Sequence, residues 1–177
     1  TLLEMGKTEI TPNMRKALCS LKQNGIKICI ATGRPFVTIP MFEGVVFDAI
    51  LAFNGSFCVA GEQVVAKCPI PKEDVKKIIE NAKRMERPVS IATAEEIVAN
   101  GSDKDLEDYF AIAHHRVNVS EKFEEYVEKD VFQIMLGCDL EERKYILEGT
   151  KNTKLAAWWD RAVDIIPKEG GKGTAIE

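Results

Sequence analysis

The order of apolar and polar positions predicts helices and short strands that alternate along the first part of the chain. Between Thr11, a typical helix N-cap, and Gly25, a typical helix end, apolar residues recur at every third or fourth position. Two short runs, at 26–31 and 49–53, are almost continuously apolar, which is typical of parallel strands covered on both faces. A helix that leads directly into such a strand is half of an α/β unit, so the sequence predicts a parallel sheet here.

The pattern changes near Gly55 and predicts a second α/β module over residues 55–166. Two β-prone stretches within residues 57–67 flank a glycine turn and predict a hairpin. Trp158 and Trp159 are neighbours on a predicted strand, so one is expected to face inward and the other outward. The other predicted elements are a helix after Pro71, strands at 89–93, 131–137, 154–159 and 162–166, and helices near 104–115, 121–129 and 140–148.

Composition narrows the class of protein. The 24 basic and 28 acidic residues give a net charge of −4, which argues against an unaided nucleic-acid or anionic-membrane surface. No apolar run approaches the roughly 20 residues that span a bilayer, so a cytoplasmic protein is expected. The five cysteines are widely spaced and are predicted to be reduced core thiols, with a Cys58–Cys68 disulfide as a disfavoured alternative. His114 and His115 are adjacent, which favours solvated or capping histidines over a metal pair.

A first segment with possible chemistry lies directly after the predicted strand at 26–31. Ligands of open parallel sheets bind outside the carboxyl ends of the strands, where Thr32 and Gly33 stand. The Thr32 hydroxyl and the Gly33 N–H can both donate to a phosphate oxygen, and a glycine lets a ligand approach the backbone closely. The alternative is a turn that merely ends the strand.

Two further segments have similar potential. Residues 167–174 form a glycine-rich stretch that carries Lys172 into a helix start, where backbone N–H groups and a positive charge favour an anion. This stretch is not a P-loop, because Gly173 stands where that motif requires Ser or Thr, and a flexible loop with a solvated lysine is the alternative. Asn54 and Gly55 follow the second apolar run and either contact a substrate or simply close a turn.

Taken in order, the segments IKICIATGRP, ILAFNG and DIIPKEGGKGTAIE, with an α/β module between the last two, resemble the haloacid dehalogenase superfamily of phosphatases. The Cof-type group of that superfamily is the most similar branch, and the resemblance covers essentially the whole chain. It implies an α/β fold with a partial Rossmann-like core, built on a parallel sheet, from residues 1–54 and 167–177. Residues 55–166 would form an inserted α/β cap domain that selects the substrate.

The resemblance also implies roles for particular residues. Thr32 matches the residue that binds the transferring phosphoryl group, and Lys172 matches the lysine that balances negative charge on that group and on the nucleophile. The residues expected to contact the substrate around them are Gly33, Arg34, Asn54 and Gly55.

Two motifs of the superfamily lie outside this sequence. The nucleophilic and acid/base aspartates belong to a DxDGT motif that would precede Thr1, and the Mg²⁺-binding GDxxND motif would follow Glu177. No metal ligands are therefore expected in the chain, which is predicted to be inactive by itself. The intact protein would be a Mg²⁺-dependent hydrolase of small phosphorylated metabolites, such as sugar phosphates, acting through an aspartyl phosphate. The alternative is a module that binds such a ligand without catalysis.

Overall fold

The computed structural model describes residues 2–3 and 7–176, which contain two β-sheets. The first has the strand order β1-β2-β3-β4, with β1 (Cys29–Ala31), β2 (Ala49–Ala52), β3 (Phe57–Ala60) and β4 (Gln63–Lys67). The second has the order β6-β5-β7-β9-β8, with β5 (Val89–Ala92), β6 (Ile97–Ala99), β7 (Gln133–Gly137), β8 (Thr153–Ala156) and β9 (Ala162–Pro167). The helices are α1 (Pro12–Gln23), α2 (Lys72–Arg84), α3 (Lys104–Ile112), α4 (Phe123–Val127) and α5 (Arg143–Ile146).

Helix α1 and the parallel pair β1–β2 agree with the sequence prediction. The Thr11 hydroxyl caps α1 by accepting a hydrogen bond from the Met14 N–H at 3.2 Å. Gly25 ends the helix with a φ of 76°, which a residue with a side chain rarely adopts. The Asp48 carboxylate then ties α1 to the sheet, because it accepts from Lys22 Nζ and from the Ile28 N–H, both at 2.8 Å. These bonds, that of Lys22 first, lower the pKa of Asp48 to about 2.

The prediction that both apolar runs are covered on both faces is wrong for β1. Only Ile30 is buried, whereas Cys29 and Ala31 are exposed. Within residues 2–3 and 7–176, β1 pairs on one side only, with β2, and Leu18 of α1 packs in the same cluster as Ile30. One face of β1 is therefore packed, and its residues alternate as in a half-covered strand.

The predicted hairpin at 57–67 is confirmed as β3 and β4, and it pairs with the first sheet. Ile50 of β2 lies opposite Val59 of β3, so this sheet continues past Gly55 to Lys67. All five cysteines are free, as predicted, but Cys29 is exposed rather than in a core, and Cys58 lies opposite Ala66 rather than opposite Cys68. The division of the chain into a core and a cap at residues 54 and 166 stays a prediction.

The second sheet is antiparallel throughout and is packed on both faces. One face of this sheet, which we call the outer face, packs against α2, α4 and α5. The opposite face, the inner face, packs against α3 and the cluster around Phe53. Strand β6 was not predicted, because its three residues sit in a polar stretch without visible alternation. Trp158 and Trp159 lie in the loop after β8 rather than on a strand, and their rings stack with centroids 6.5 Å apart.

An aromatic cluster joins the two sheets. The Phe132 ring, just before β7, stacks on Phe53 with centroids 5.3 Å apart and lies 5.2 Å from Phe57. All three side chains are at least nine-tenths buried. The carboxyl end of β2 therefore packs directly against the start of β7. None of the helices in the described ranges has the length and apolar character needed to cross a membrane.

Candidate functional site

Thr32 directly follows β1, and its backbone is hydrogen-bonded to residues at the carboxyl end of β2. Its N–H donates to the Leu51 carbonyl and its carbonyl accepts from the Asn54 N–H, both at 2.9 Å. The Thr32 hydroxyl oxygen accepts a bond from the Arg34 N–H at 3.1 Å. That bond leaves the hydroxyl proton available to a ligand outside the sheet edge.

The turn after β2 holds three successive residues in the left-handed region. The φ angles are 48° at Phe53, 57° at Asn54 and 91° at Gly55. Such a conformation costs a phenylalanine about 1–3 kcal/mol, and the complete burial of Phe53 in the aromatic cluster holds it in place. The turn folds the Asn54 side chain over Gly33, where an added Cβ would lie only 3.0 Å from Asn54 Oδ1.

The glycine-rich loop reaches the same turn. A Cβ on Gly55 would lie 2.6 Å from the Gly171 carbonyl oxygen and 2.7 Å from the Ala175 side chain, so these backbones touch. A helical turn begins in the loop, because the Ala175 N–H donates to the Gly171 carbonyl at 3.0 Å. Lys172 lies in this turn and is exposed. The three segments chosen from the sequence thus meet around Asn54 and Gly55.

Two residues that the sequence analysis did not identify lie against this loop. Ser56 is fully buried, and its Oγ has no hydrogen-bond partner in the described part of the chain. This Oγ lies against Gly170, because a Cβ added to Gly170 would be only 2.5 Å from it. Lys154 of β8 donates from Nζ to the carbonyls of Lys168, at 2.9 Å, and Gly170. No sequence signal marks either one, since Ser56 follows a turn and Lys154 is an ordinary polar strand residue.

Two of the segments that meet here carry a basic residue. Among residues 2–3 and 7–176, neither Arg34 nor Lys172 forms a salt bridge. His115, just beyond α3, is near enough to Arg34 to be affected by it. Partial burial, the Arg34 charge and His114 together lower the pKa of His115. Cations without an acidic partner, on segments that meet near the Thr32 hydroxyl, suit a phosphate or another anion.

A metal site is not formed by the residues that the structure describes. No group of three or more His, Cys, Asp or Glu side chains among them is placed to hold a metal ion. Magnesium prefers several oxygen ligands, so these residues do not fit a magnesium centre.

Comparison with known proteins gives consistent results. The family model of haloacid dehalogenase-like hydrolases matches residues 1–177. The Bacillus subtilis protein YkrA, which carries a provisional phosphatase name, is 27% identical over 171 residues. That match covers 95% of this chain but only 65% of YkrA, so this chain spans just under two thirds of its relative.

Solved structures show the same relationship. The phosphatase BT1666 from Bacteroides thetaiotaomicron superposes with a TM-score of 0.85 at 25% identity, over 99% of this chain and 66% of that one. BT4131, a sugar phosphatase of subclass IIB, gives a TM-score of 0.82 at 25% identity, over 99% of this chain and 70% of that one. The predicted α/β fold and the predicted family are both confirmed. The chain therefore belongs to the haloacid dehalogenase-like hydrolases.

Proposed function

We propose that the protein to which this chain belongs hydrolyses small phosphomonoesters, sugar phosphates among them, and that this chain binds their phosphate group. The observation that carries the proposal is the meeting of three segments at one turn: Asn54 lies over Gly33, and Gly55 touches Gly171. The phosphatase names of relatives that align along nearly the whole chain support it.

In this proposal the chain contributes positioning and charge. The Thr32 hydroxyl donates its free proton to a phosphoryl oxygen, while Lys172 and Arg34 supply positive charge at the same edge of the sheet. Phosphoryl transfer is accelerated mainly by positioning and by stabilising charge on the equatorial oxygens, so fixed cations suit the reaction. Lys154 holds the loop of Lys172 through its carbonyls, and Ser56 lies against that loop.

Haloacid dehalogenase phosphatases generally use Mg²⁺, and we propose the same for the intact protein, with an aspartyl-phosphate intermediate. The residues described here do not form the metal site. The DxDGT and GDxxND motifs, to which the superfamily resemblance assigns the nucleophile and the metal ligands, are not within the 177 residues. The steps assigned to this chain are therefore limited to binding and orienting the phosphate.

The proposal is tested by Lys172→Ala in the intact protein, assayed with a panel of sugar phosphates. Loss of one charge-stabilising group from such a site costs about 10²–10³ in kcat, so turnover should fall by that factor. Lys168→Ala is the matched control, because Lys168 is an exposed lysine in the same loop and only its backbone bonds Lys154 and Asn152. Near-normal turnover by the Lys172 variant would contradict the proposal.

The same experiment separates an enzyme from a binding module. If the intact protein binds inorganic phosphate in a calorimeter and loses that binding in Lys172→Ala, yet turns over no phosphomonoester, the module without catalysis is the correct function. Turnover of any ester in the panel, lost in Lys172→Ala and kept in Lys168→Ala, establishes the hydrolase.

A further inference from the structure

The loop that carries Lys172 has little in its own sequence to order it. Three of its residues, Gly170, Gly171 and Gly173, are glycines, and glycine loses more backbone freedom on folding than any other residue. The Lys172 side chain is exposed, so packing does not fix it either. The position of Lys172 therefore depends on how the backbone of its loop is held.

The bonds that hold this loop come from β8, the edge strand of the second sheet. Lys168, the first residue after β9, donates its N–H to the Asn152 carbonyl at 2.8 Å, just before β8. Lys154 of β8 then donates from Nζ to the Lys168 carbonyl at 2.9 Å and to the Gly170 carbonyl. One side chain of β8 thus fixes two carbonyls of the loop.

Lys154 acts on the loop where its backbone is most free to rotate. The Gly170 carbonyl belongs to the peptide that joins Gly170 to Gly171, and neither residue has a Cβ to restrict that peptide. Within the described ranges, no other side chain hydrogen-bonds the backbone of residues 168–173. The contact of Gly171 with Gly55 is between backbones and supplies no such bond. Lys154 therefore sets the direction of the chain two residues before Lys172.

The bonds from Lys154 are made by a cation. Its ammonium forms no salt bridge with any acidic side chain among residues 2–3 and 7–176. An ammonium has three N–H donors, and hydrogen bonds from a charged donor are roughly twice as strong as neutral ones. A neutral side chain of similar length does not replace both of these bonds.

We propose that Lys154 is a positioning residue for the phosphate site and acts through Lys172. Its ammonium fixes the carbonyls of Lys168 and Gly170, and the loop so held keeps the Lys172 charge against the phosphoryl group. Lys154 itself does not touch the substrate. The inference rests on the proposed phosphatase function, in which Lys172 balances the charge of that group. A catalytic group displaced by about 1 Å can lose about 10²-fold in rate, so the effect is measurable.

The test measures turnover of phenyl phosphate by the intact protein, because the alcohol part of this ester has no hydroxyl that needs recognition. Lys154→Met keeps the length of the side chain and removes its charge and donors. We expect kcat to fall about 10- to 100-fold and KM to change less than about threefold, since the charge that Lys172 balances is greatest in the transition state. Lys154→Arg keeps a cation with donors and should retain kcat within about threefold.

Lys151→Met is the matched control. Lys151 is an exposed lysine three residues before Lys154, and only its backbone N–H is bonded, to Asp74. Its kcat should stay within about twofold of that of the unaltered protein. Unchanged turnover in Lys154→Met, or an equal loss in Lys151→Met, would overturn the proposal.

A double-mutant cycle distinguishes positioning from an independent effect. If Lys154 acts through Lys172, then Lys154→Met should lower kcat less than about twofold once Lys172 is already alanine. A tenfold loss in that background would show that Lys154 affects turnover by another route, and the proposal would be wrong.

Lys154→Gln separates positioning from a general loss of stability. It keeps a neutral donor for one carbonyl, so its kcat should lie between those of Lys154→Met and the unaltered protein. Urea unfolding of the Met, Gln and Arg variants gives their free energies of unfolding. A kcat that follows these free energies, and falls equally in the Lys172→Ala background, would mean that Lys154 only stabilises the fold.

Failure of the proposed function is recognised separately. If the unaltered protein does not hydrolyse phenyl phosphate or any sugar phosphate, calorimetric binding of inorganic phosphate replaces turnover as the measurement. Binding that is weaker in Lys154→Met and restored in Lys154→Arg supports the positioning role without hydrolysis. Binding that is unchanged in Lys154→Met, or weakened as much in Lys151→Met, contradicts it.

Discussion

The two sheets differ in how completely they are buried, and the candidate site belongs to the less buried one. Strands β5, β7 and β9 consist almost wholly of buried residues. In the first sheet, β4 is exposed along its length and β1 on one face. The loops that carry Thr32 and Asn54 extend from this thinner sheet. Phe132 of the second sheet packs on Phe53, beside Asn54, and Lys154 holds the glycine-rich loop that touches Gly55. Local stability follows burial, so the second sheet acts as the scaffold and the first carries the candidate site.

The largest effect that tests this comparison is expected from truncating one isoleucine in each sheet. Ile134→Ala, in the fully buried centre of the second sheet, should lower the free energy of unfolding by about 4 kcal/mol. Ile30→Ala removes the same atoms from β1, whose other two residues are exposed. Fewer packed side chains surround the resulting cavity, so the loss should be about 2 kcal/mol. Urea unfolding of both variants gives the two values, and equal losses would mean that the sheets are equally important for stability.

The buried carboxylate of the second sheet predicts a pH dependence. Burial raises the pKa of Asp164 from 3.8 to about 6, against the opposing hydrogen bonds of Tyr109, Gln133 and Trp158. Below pH 4 both the folded and the unfolded chain hold this proton. As the pH rises towards 6 the unfolded chain releases it first, so folding loses up to about 3 kcal/mol and the loss is complete above pH 6.

Asp164→Asn should remove that pH-dependent loss while keeping an oxygen for Tyr109. Urea unfolding of the unaltered protein and of the variant at pH 4.5, 5.5, 6.5 and 7.5 measures it as the difference between the two curves. The difference should change by about 2 kcal/mol across this range, in favour of the variant at high pH, because the unfolded chain has already released most of this proton at pH 4.5. A constant difference would show that Asp164 is ionised in the folded protein at pH 4.5 already.

The sequence predicts local structure well where a single stretch contains the whole signal. Thr11, Gly25 and the hairpin around Gly61 each act through their own neighbours, and all three predictions are confirmed. The exposure of β1 is not predictable in this way, because burial of a strand depends on which elements lie beside it. An apolar run shows only that burial is possible.

The candidate site shows the same limit. The three segments around Thr32, Asn54 and Lys172 are each visible in the sequence, and their roles there stay predictions. Ser56 and Lys154 are not visible, because what they do depends on contacts with Gly170, at 114 and 16 residues' separation along the chain. No local pattern encodes such pairs, and only the packed chain brings them together.

The aromatic contacts that join the two sheets should contribute less to the free energy of unfolding than the core of the second sheet does, but by a measurable amount. Phe132→Leu keeps an apolar side chain and removes the ring that stacks on Phe53 and lies against Phe57. We expect a loss of about 2 kcal/mol from the missing ring contacts and the small cavity, measured by urea unfolding. Phe110→Leu is the control, since Phe110 lies in the same cluster and its ring pairs only with Tyr109 of its own helix. If both variants lose the same amount, the ring of Phe132 has no special role in joining the sheets.

The smallest predicted effect decides whether the two sheets unfold as one unit. Thr11→Ala removes the hydroxyl that caps α1 and should cost about 1 kcal/mol, whereas Thr11→Ser keeps the cap and should cost much less. Both tryptophans lie in the second region, at Trp158 and Trp159, so their fluorescence reports on that region alone. If the midpoint of the fluorescence transition moves with Thr11→Ala, the thin sheet and the scaffold unfold together. If only the midpoint of the helical circular dichroism signal moves, the first sheet unfolds separately. The contacts of Phe132 and Lys154 then hold the site without joining the two sheets into one cooperative unit.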